Sequence, residues 1–125
     1  MSDIVTRIAS SAITALQAVQ FDTDGKVTAT IGTNGIMVDG IAQTTVASGE
    51  PVSVCVHGIT RATAGSAFNA GTVKLLRVET TGHLIPFSAG AGQYSVARLL
   101  PNVNHAAIAD GDEIEVIFQG ASEQD

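Results

Sequence analysis

The run Gly49-Glu50-Pro51-Val52-Ser53-Val54-Cys55-Val56-His57-Gly58 alternates valine with small or polar residues between a Gly-Glu-Pro turn and a closing glycine. A period of two marks a half-buried β-strand, because successive side chains point to opposite faces. It assigns Val52, Val54 and Val56 to one face and Ser53, Cys55 and His57 to the other. The same pattern returns in Asp110-Gly111-Asp112-Glu113-Ile114-Glu115-Val116-Ile117-Phe118 and, more loosely, from Thr72 to Glu79.

Turn chemistry divides the rest of the chain into similar units. Asp22-Thr23-Asp24-Gly25 separates Ala12–Phe21 from the alternating run Lys26–Ile31. Asp-Gly between two such runs predicts a hairpin, so the alanine-rich first run is read as strand and not helix. Thr33-Asn34-Gly35 predicts a second turn, followed by a strand from Ile36 to Ala42 with an irregularity at Gly40. Ala64–Ala70 reads as a loop or one helical turn around Phe68, and Thr80-Thr81-Gly82-His83 as a turn into Leu84-Ile85-Pro86-Phe87. Ser88–Ser95 is the most flexible stretch by composition; Val96–Leu100 returns to sheet, Pro101–Ala109 is a loop, and Glu113–Phe118 closes the series.

Residues 1–11 carry Ile4, Val5 and Ile8 but no sustained period or cap, which predicts a flexible N-terminal arm ordered by whatever it touches. Residues 120–125 read as a solvated acidic tail. Between them, residues 12–119 form a single β-domain. About eight to ten short strands with glycine turns predict an all-β fold, a small sandwich or barrel of short antiparallel strands. No amphipathic helix long enough for a parallel α/β architecture lies between the strands.

Composition narrows the function. The 125-residue chain is 45% hydrophobic and only 14% charged, with four phenylalanines, one tyrosine and no tryptophan. Charge is well below the roughly 25% of an average globular protein, and charge depletion accompanies permanent interfaces. The net charge is −6, and the basic residues Arg7, Lys26, Arg61, Lys74, Arg77 and Arg98 are scattered. Phosphate backbones and anionic membranes require clustered cations, so neither is an expected partner. A single cysteine, Cys55, excludes an intrachain disulfide and fits a reducing folding compartment. No stretch approaches the length of a transmembrane helix, and Asp3 and Arg7 argue against a secretory signal.

The candidate chemistry is thin. Cys55 and His57 stand two apart, near enough to share a metal if His83 or His105 approached, but zinc sites announce themselves by paired ligands at close spacing, and here there is one weak pair. A nucleophilic pair would need an orienting third group and an oxyanion hole, which the sequence does not supply. Asp110, Asp112, Glu113 and Glu115 lack the spacing of a calcium loop and read as a turn and the wet face of a strand. Gly90-Ala91-Gly92 lacks the Gly-Lys-Ser/Thr ending of a phosphate loop. Lys74 lies within a strand, not at the exposed turn of a carrier lysine. No catalytic residue, metal or cofactor is expected.

The order of these units resembles the capsid cement, or head decoration, proteins of tailed bacteriophages. The resemblance runs from about Val19 to Phe118, through Asp24-Gly25-Lys26-Val27, Asn34-Gly35-Ile36, Gly40-Ile41-Ala42 and Ser48-Gly49-Glu50-Pro51-Val52-Ser53-Val54 to Gly58-Ile59. It continues through Ala70-Gly71-Thr72-Val73, Thr81-Gly82-His83-Leu84, Val96-Ala97-Arg98-Leu99-Leu100 and Asp112-Glu113-Ile114-Glu115-Val116. It implies a non-enzymatic β-rich protein that folds in the host cytoplasm, attaches to the exterior of the expanded capsid and stabilises it. The implied partners are the major capsid protein and further copies of the chain, as a homotrimer. Ile4, Val5 and Ile8 of the arm, with Leu84, Phe87 and Tyr94, are the candidate capsid or protomer contacts. The competing reading is a glycan- or receptor-binding β-module of a virion or cell surface. It would need an aromatic platform, for which Tyr94 alone is poor, since Phe68 and Phe87 read as core residues.

Overall fold

A computed structural model describes residues 2–22, 24–29, 38–69, 74–78, 82–87, 94–100 and 107–123. These residues carry strands and no helix: β1 (Ser2–Ile8), β2 (Ala18–Phe21), β3 (Val27–Thr28), β4 (Gly40–Ala42), β5 (Pro51–Thr63), β6 (Phe68–Asn69), β7 (Leu75–Val78), β8 (Leu84–Pro86), β9 (Tyr94–Leu99), β10 (Ala107–Ile108) and β11 (Glu113–Glu123). Nine form one sheet in the order β3-β2-β4-β5-β11-β9-β7-β8, with β1 also paired to β5; β6 and β10 form a separate two-stranded ribbon. The named strands pair antiparallel, and the sheet curls into a half-barrel. The expected all-β fold is present.

β5 is the spine, because its 13 residues serve two hydrophobic cores. Val52 and Val54, in its first half, pack with Ala9, Ile13, Val19, Val27 and Ala42. Ala62, in its second half, belongs to the larger core of Leu76, Leu84, Val116 and Phe118. Small inward residues there (Thr60, Ala62, Ala64) leave room for Phe118, the largest fully buried side chain. The curl brings the far edge of the sheet back toward β5. Ala64 forms a parallel bridge with Leu84, Gly65 N–H donates to the Leu84 carbonyl at 2.8 Å, and Ala18 N–H donates to the Gly82 carbonyl at 2.8 Å.

The junction between the halves corrects the simple alternation. Asp3 pairs with His57 but Ile4 pairs with Cys55, so Val56 is an extra residue in β5. Such a bulge shifts the facing of the residues around it. Val56 is therefore only half-buried, while Cys55, expected on the wet face, is fully buried. Gly58 follows with φ 116°, a backbone conformation that favours glycine.

The Asp-Gly hairpin forms between β2 and β3, with Gln20 opposite Thr28 and Phe21 opposite Val27. The Asp22 carboxylate accepts from the Asp24 and Lys26 backbone N–H groups at 2.9 and 3.0 Å. The strand expected from Ala12 begins only at Ala18, because the chain turns at Ala15-Leu16, where Leu16 has φ 68°. The described part of the strand expected over Ile36–Ala42 is β4, which starts at Gly40, and short strands β6 and β10 lie where loops were expected. The Asn34-Gly35 turn, the Gly90-Ala91-Gly92 stretch and His105 lie outside the described residues.

The expected flexible arm is instead a strand. Ser2–Ile8 pair residue by residue with Gly58–Pro51, since β-branched residues 4, 5 and 6 suit an extended backbone and β5 offers hydrogen-bonding groups. Gly120–Glu123 likewise continue β11, with Ser122 opposite Ser95 and Glu123 opposite Tyr94, and are not a free tail.

Candidate interaction surfaces

The N-terminal strand presents the first surface. Ala9 N–H donates to the Glu50 carbonyl at 2.9 Å, which sets the alternation along β1. Val5 and Arg7 then turn their backbone groups toward β5, and Ile4, Thr6 and Ile8 turn theirs away. The Ser53 carbonyl, opposite Thr6, accepts from Gln43 N–H at 2.8 Å on the β4 side, as this alternation requires. At the end of β1 the outer edge meets β3, where Ala9 forms a parallel bridge with Val27 and Ser10 N–H donates to the Val27 carbonyl at 2.8 Å; among the described residues no named strand pairs with the outer edge from Ser2 to Arg7. The Thr6 carbonyl there accepts from the Arg7 guanidinium of the same chain at 2.9 Å. Ile4 is 47% exposed and Ile8 43%, whereas Val5 packs against the smaller core.

The outer face of the half-barrel presents the second. Ile59 of β5 lies opposite Ile117 of β11, Ile117 opposite Arg98 of β9, and Arg98 opposite Leu75 of β7. Phe87 extends this row, its N–H donating to the Leu75 carbonyl at 2.9 Å. The neighbouring row, Gly58, Phe118, Ala97 and Leu76, faces inward and is buried. Ile59 and Leu75 are 46% and 40% exposed. Sequence reasoning passed over both, although Ile59 shares the phase of exposed His57 and Arg61, and Leu75 the phase opposite to buried Leu76 and Val78.

The other candidates separate. Leu84 is completely buried in the larger core, so it is not available to a partner; its pairing with Val78 and its bridge to Ala64 draw it inward. Phe87 is half-buried, and Tyr94 opens β9. Phe68 packs against the larger core, as expected.

The sites weighed for chemistry are accounted for structurally. The buried Cys55 thiol lies 3.5 Å from the His57 carbonyl, while the His57 side chain is exposed. His83 faces Gln17, at 3.3 Å from Nε2 to Nε2. Among the described residues no three His, Cys, Asp or Glu side chains converge as metal ligands. The Asp112 carboxylate accepts from Ala109 N–H at 2.9 Å and so closes the turn into β11, while Glu113 forms an exposed 3.4 Å ion pair with Arg61. Glu115 is exposed, as expected for the wet face. No helix of the described residues is long and apolar enough to cross a membrane.

No protein-family model and no curated protein matches the chain. Among solved structures it is similar to the N base of the head fiber gp8.5 of bacteriophage phi29, with a TM-score of 0.69 at 16% sequence identity. The match covers 99% of this chain and 100% of that one. It is a likeness of fold over the full length of both.

Proposed function

We propose that the chain is a non-enzymatic structural protein of a bacteriophage virion, which attaches to the exterior of the expanded head and stabilises it. The full-length likeness of fold to the phi29 head fiber base carries this reading. The order of strand and turn units, similar to that of capsid cement proteins, supports it independently. The partner in this reading is the major capsid protein, and copies act together as a homotrimer. The chain folds in the host cytoplasm and acts without cofactor, nucleic acid or membrane.

The mechanism is linkage. A protein that binds only the expanded lattice adds its binding free energy to that state. Several copies joined together multiply weak contacts through effective concentration. The outer row of Ile59, Ile117 and Leu75 around Arg98 is a surface suited to the head, and the candidates Ile4, Val5, Ile8, Phe87 and Tyr94 serve contacts to the head or between copies.

The test is co-sedimentation with heads assembled from the major capsid protein of the same genome, in expanded and unexpanded forms. The protein is expected on expanded heads only. Ile59 and Leu75 are already a little over half-covered, so completing their burial contributes about 1 kcal/mol each. The double substitution Ile59→Ser/Leu75→Ser is then expected to weaken attachment about 30-fold, with the fold retained. Failure to bind expanded heads, or equal binding to both forms, overturns the proposal.

A further inference from the structure

From Ser2 to Arg7, β1 is an edge strand with outward-facing backbone groups at Ile4 and Thr6, and with Ile4 and Ile8 about half exposed; from Ile8 onward the edge meets β3 through the Ala9–Val27 bridge. An edge of this kind is a template for another strand. Its charges indicate which strand. Asp3 and Arg7 stand symmetrically about Val5, so β1 read antiparallel to itself is complementary to itself.

We propose that two copies of this chain pair through β1, antiparallel and two-fold symmetric about Val5. In this register Asp3 of one copy lies opposite Arg7 of the other, twice over, as an isologous contact requires. Ile4 lies opposite Thr6, twice over, and these are the positions whose N–H and C=O groups point outward on the stretch that β3 leaves open. Hydrogen-bonding phase and charge therefore select the same register. On the opposite face from the charges, Ile4 of one copy is the diagonal neighbour of Ile4 and Ile8 of the other, which covers the exposed isoleucines. The Arg7 guanidinium, now on its own Thr6 carbonyl, transfers to the facing Asp3 carboxylate, and an N–H of the second strand takes its place. The contact is two-fold, so it is separate from any three-fold packing of copies and from attachment to a head.

The test is native mass spectrometry and sedimentation velocity of the full chain without heads, at concentrations on the order of tens of micromolar. The unmodified protein is expected to show species of even copy number. Asp3→Arg or Arg7→Asp alone turns both attractive pairs repulsive and is expected to weaken pairing about tenfold or more. Mixing the two singly substituted proteins restores both attractive pairs, so a heterodimer forms from chains that do not pair with themselves. The double substitution Asp3→Arg/Arg7→Asp also restores pairing. Thr6→Pro removes an outward N–H while leaving the β5 side intact, and is expected to abolish pairing with the far-ultraviolet spectrum unchanged. Absence of even-numbered species from the unmodified protein, insensitivity to Thr6→Pro, or failure of the mixture to form heterodimers overturns the proposal. None of these outcomes depends on whether the protein binds a head.

Discussion

Removal of residues 1–8 is expected to leave a folded but measurably weaker half-barrel. β1 contributes about four backbone hydrogen bonds to β5 through Val5, Arg7 and the residues beside the bulge, each about 1 kcal/mol net. Val5 is mostly covered against the smaller core and Ile4 and Ile8 are about half covered, which together adds about 3 kcal/mol. Against this total of about 7 kcal/mol stands the ordering of seven residues, at about 1 kcal/mol each at the low end of the range. The terms nearly cancel, so the net loss is about 0–2 kcal/mol, and the thermal midpoint falls by no more than about 8 °C for a domain of this size. Amide hydrogen exchange gives the sharper readout. Val52 and Val54 face β1 and lose protection in the truncated protein, whereas Cys55, paired with Ile41 of β4, keeps it. Loss of protection at all three positions would show that β4 cannot hold β5 without β1. Unchanged protection at all three would show that β1 is not paired in solution. Either result refutes the reasoning.

Three further predictions concern the spine and the strand beside it. A side chain at Gly40 would meet Val54 Cγ1 and stand 2.7 Å from the Cys55 carbonyl oxygen, which is backbone and cannot move aside; Gly40→Ala is expected to cost about 1–3 kcal/mol, read as a lower denaturant midpoint. Cys55 is fully buried, so its thiol is expected to react slowly with labelling reagents in the native state, and Cys55→Ser to cost about 1–3 kcal/mol by burying a hydroxyl. His57→Ala, at an exposed position, is expected to stay within about 0.5 kcal/mol of the unmodified protein.

Local chemistry made several elements legible from the sequence. The Asp24-Gly25 hairpin, the Asp110-Gly111-Asp112 turn, the inward Val52 and Val54 and the outward Glu113 and Glu115 all follow from turn preferences and a period of two. The outer row was in principle legible by the same rule, since Ile59 and Leu75 sit in the wet phase of their strands. Tertiary structure decided the rest. A period of two separates the faces of a strand but does not say which neighbour it takes, and β1 finds its partner some fifty residues away in β5. Alternation also assumes an unbroken ladder, and the extra residue at Val56 breaks it, which is why Cys55 is buried and Val56 only half-buried. Leu84 is, with Phe87 and Tyr94, among the contacts expected from the sequence. The curl of the sheet instead brings it to Ala64 and into the larger core, and curl is a property of the strands together that no single segment encodes.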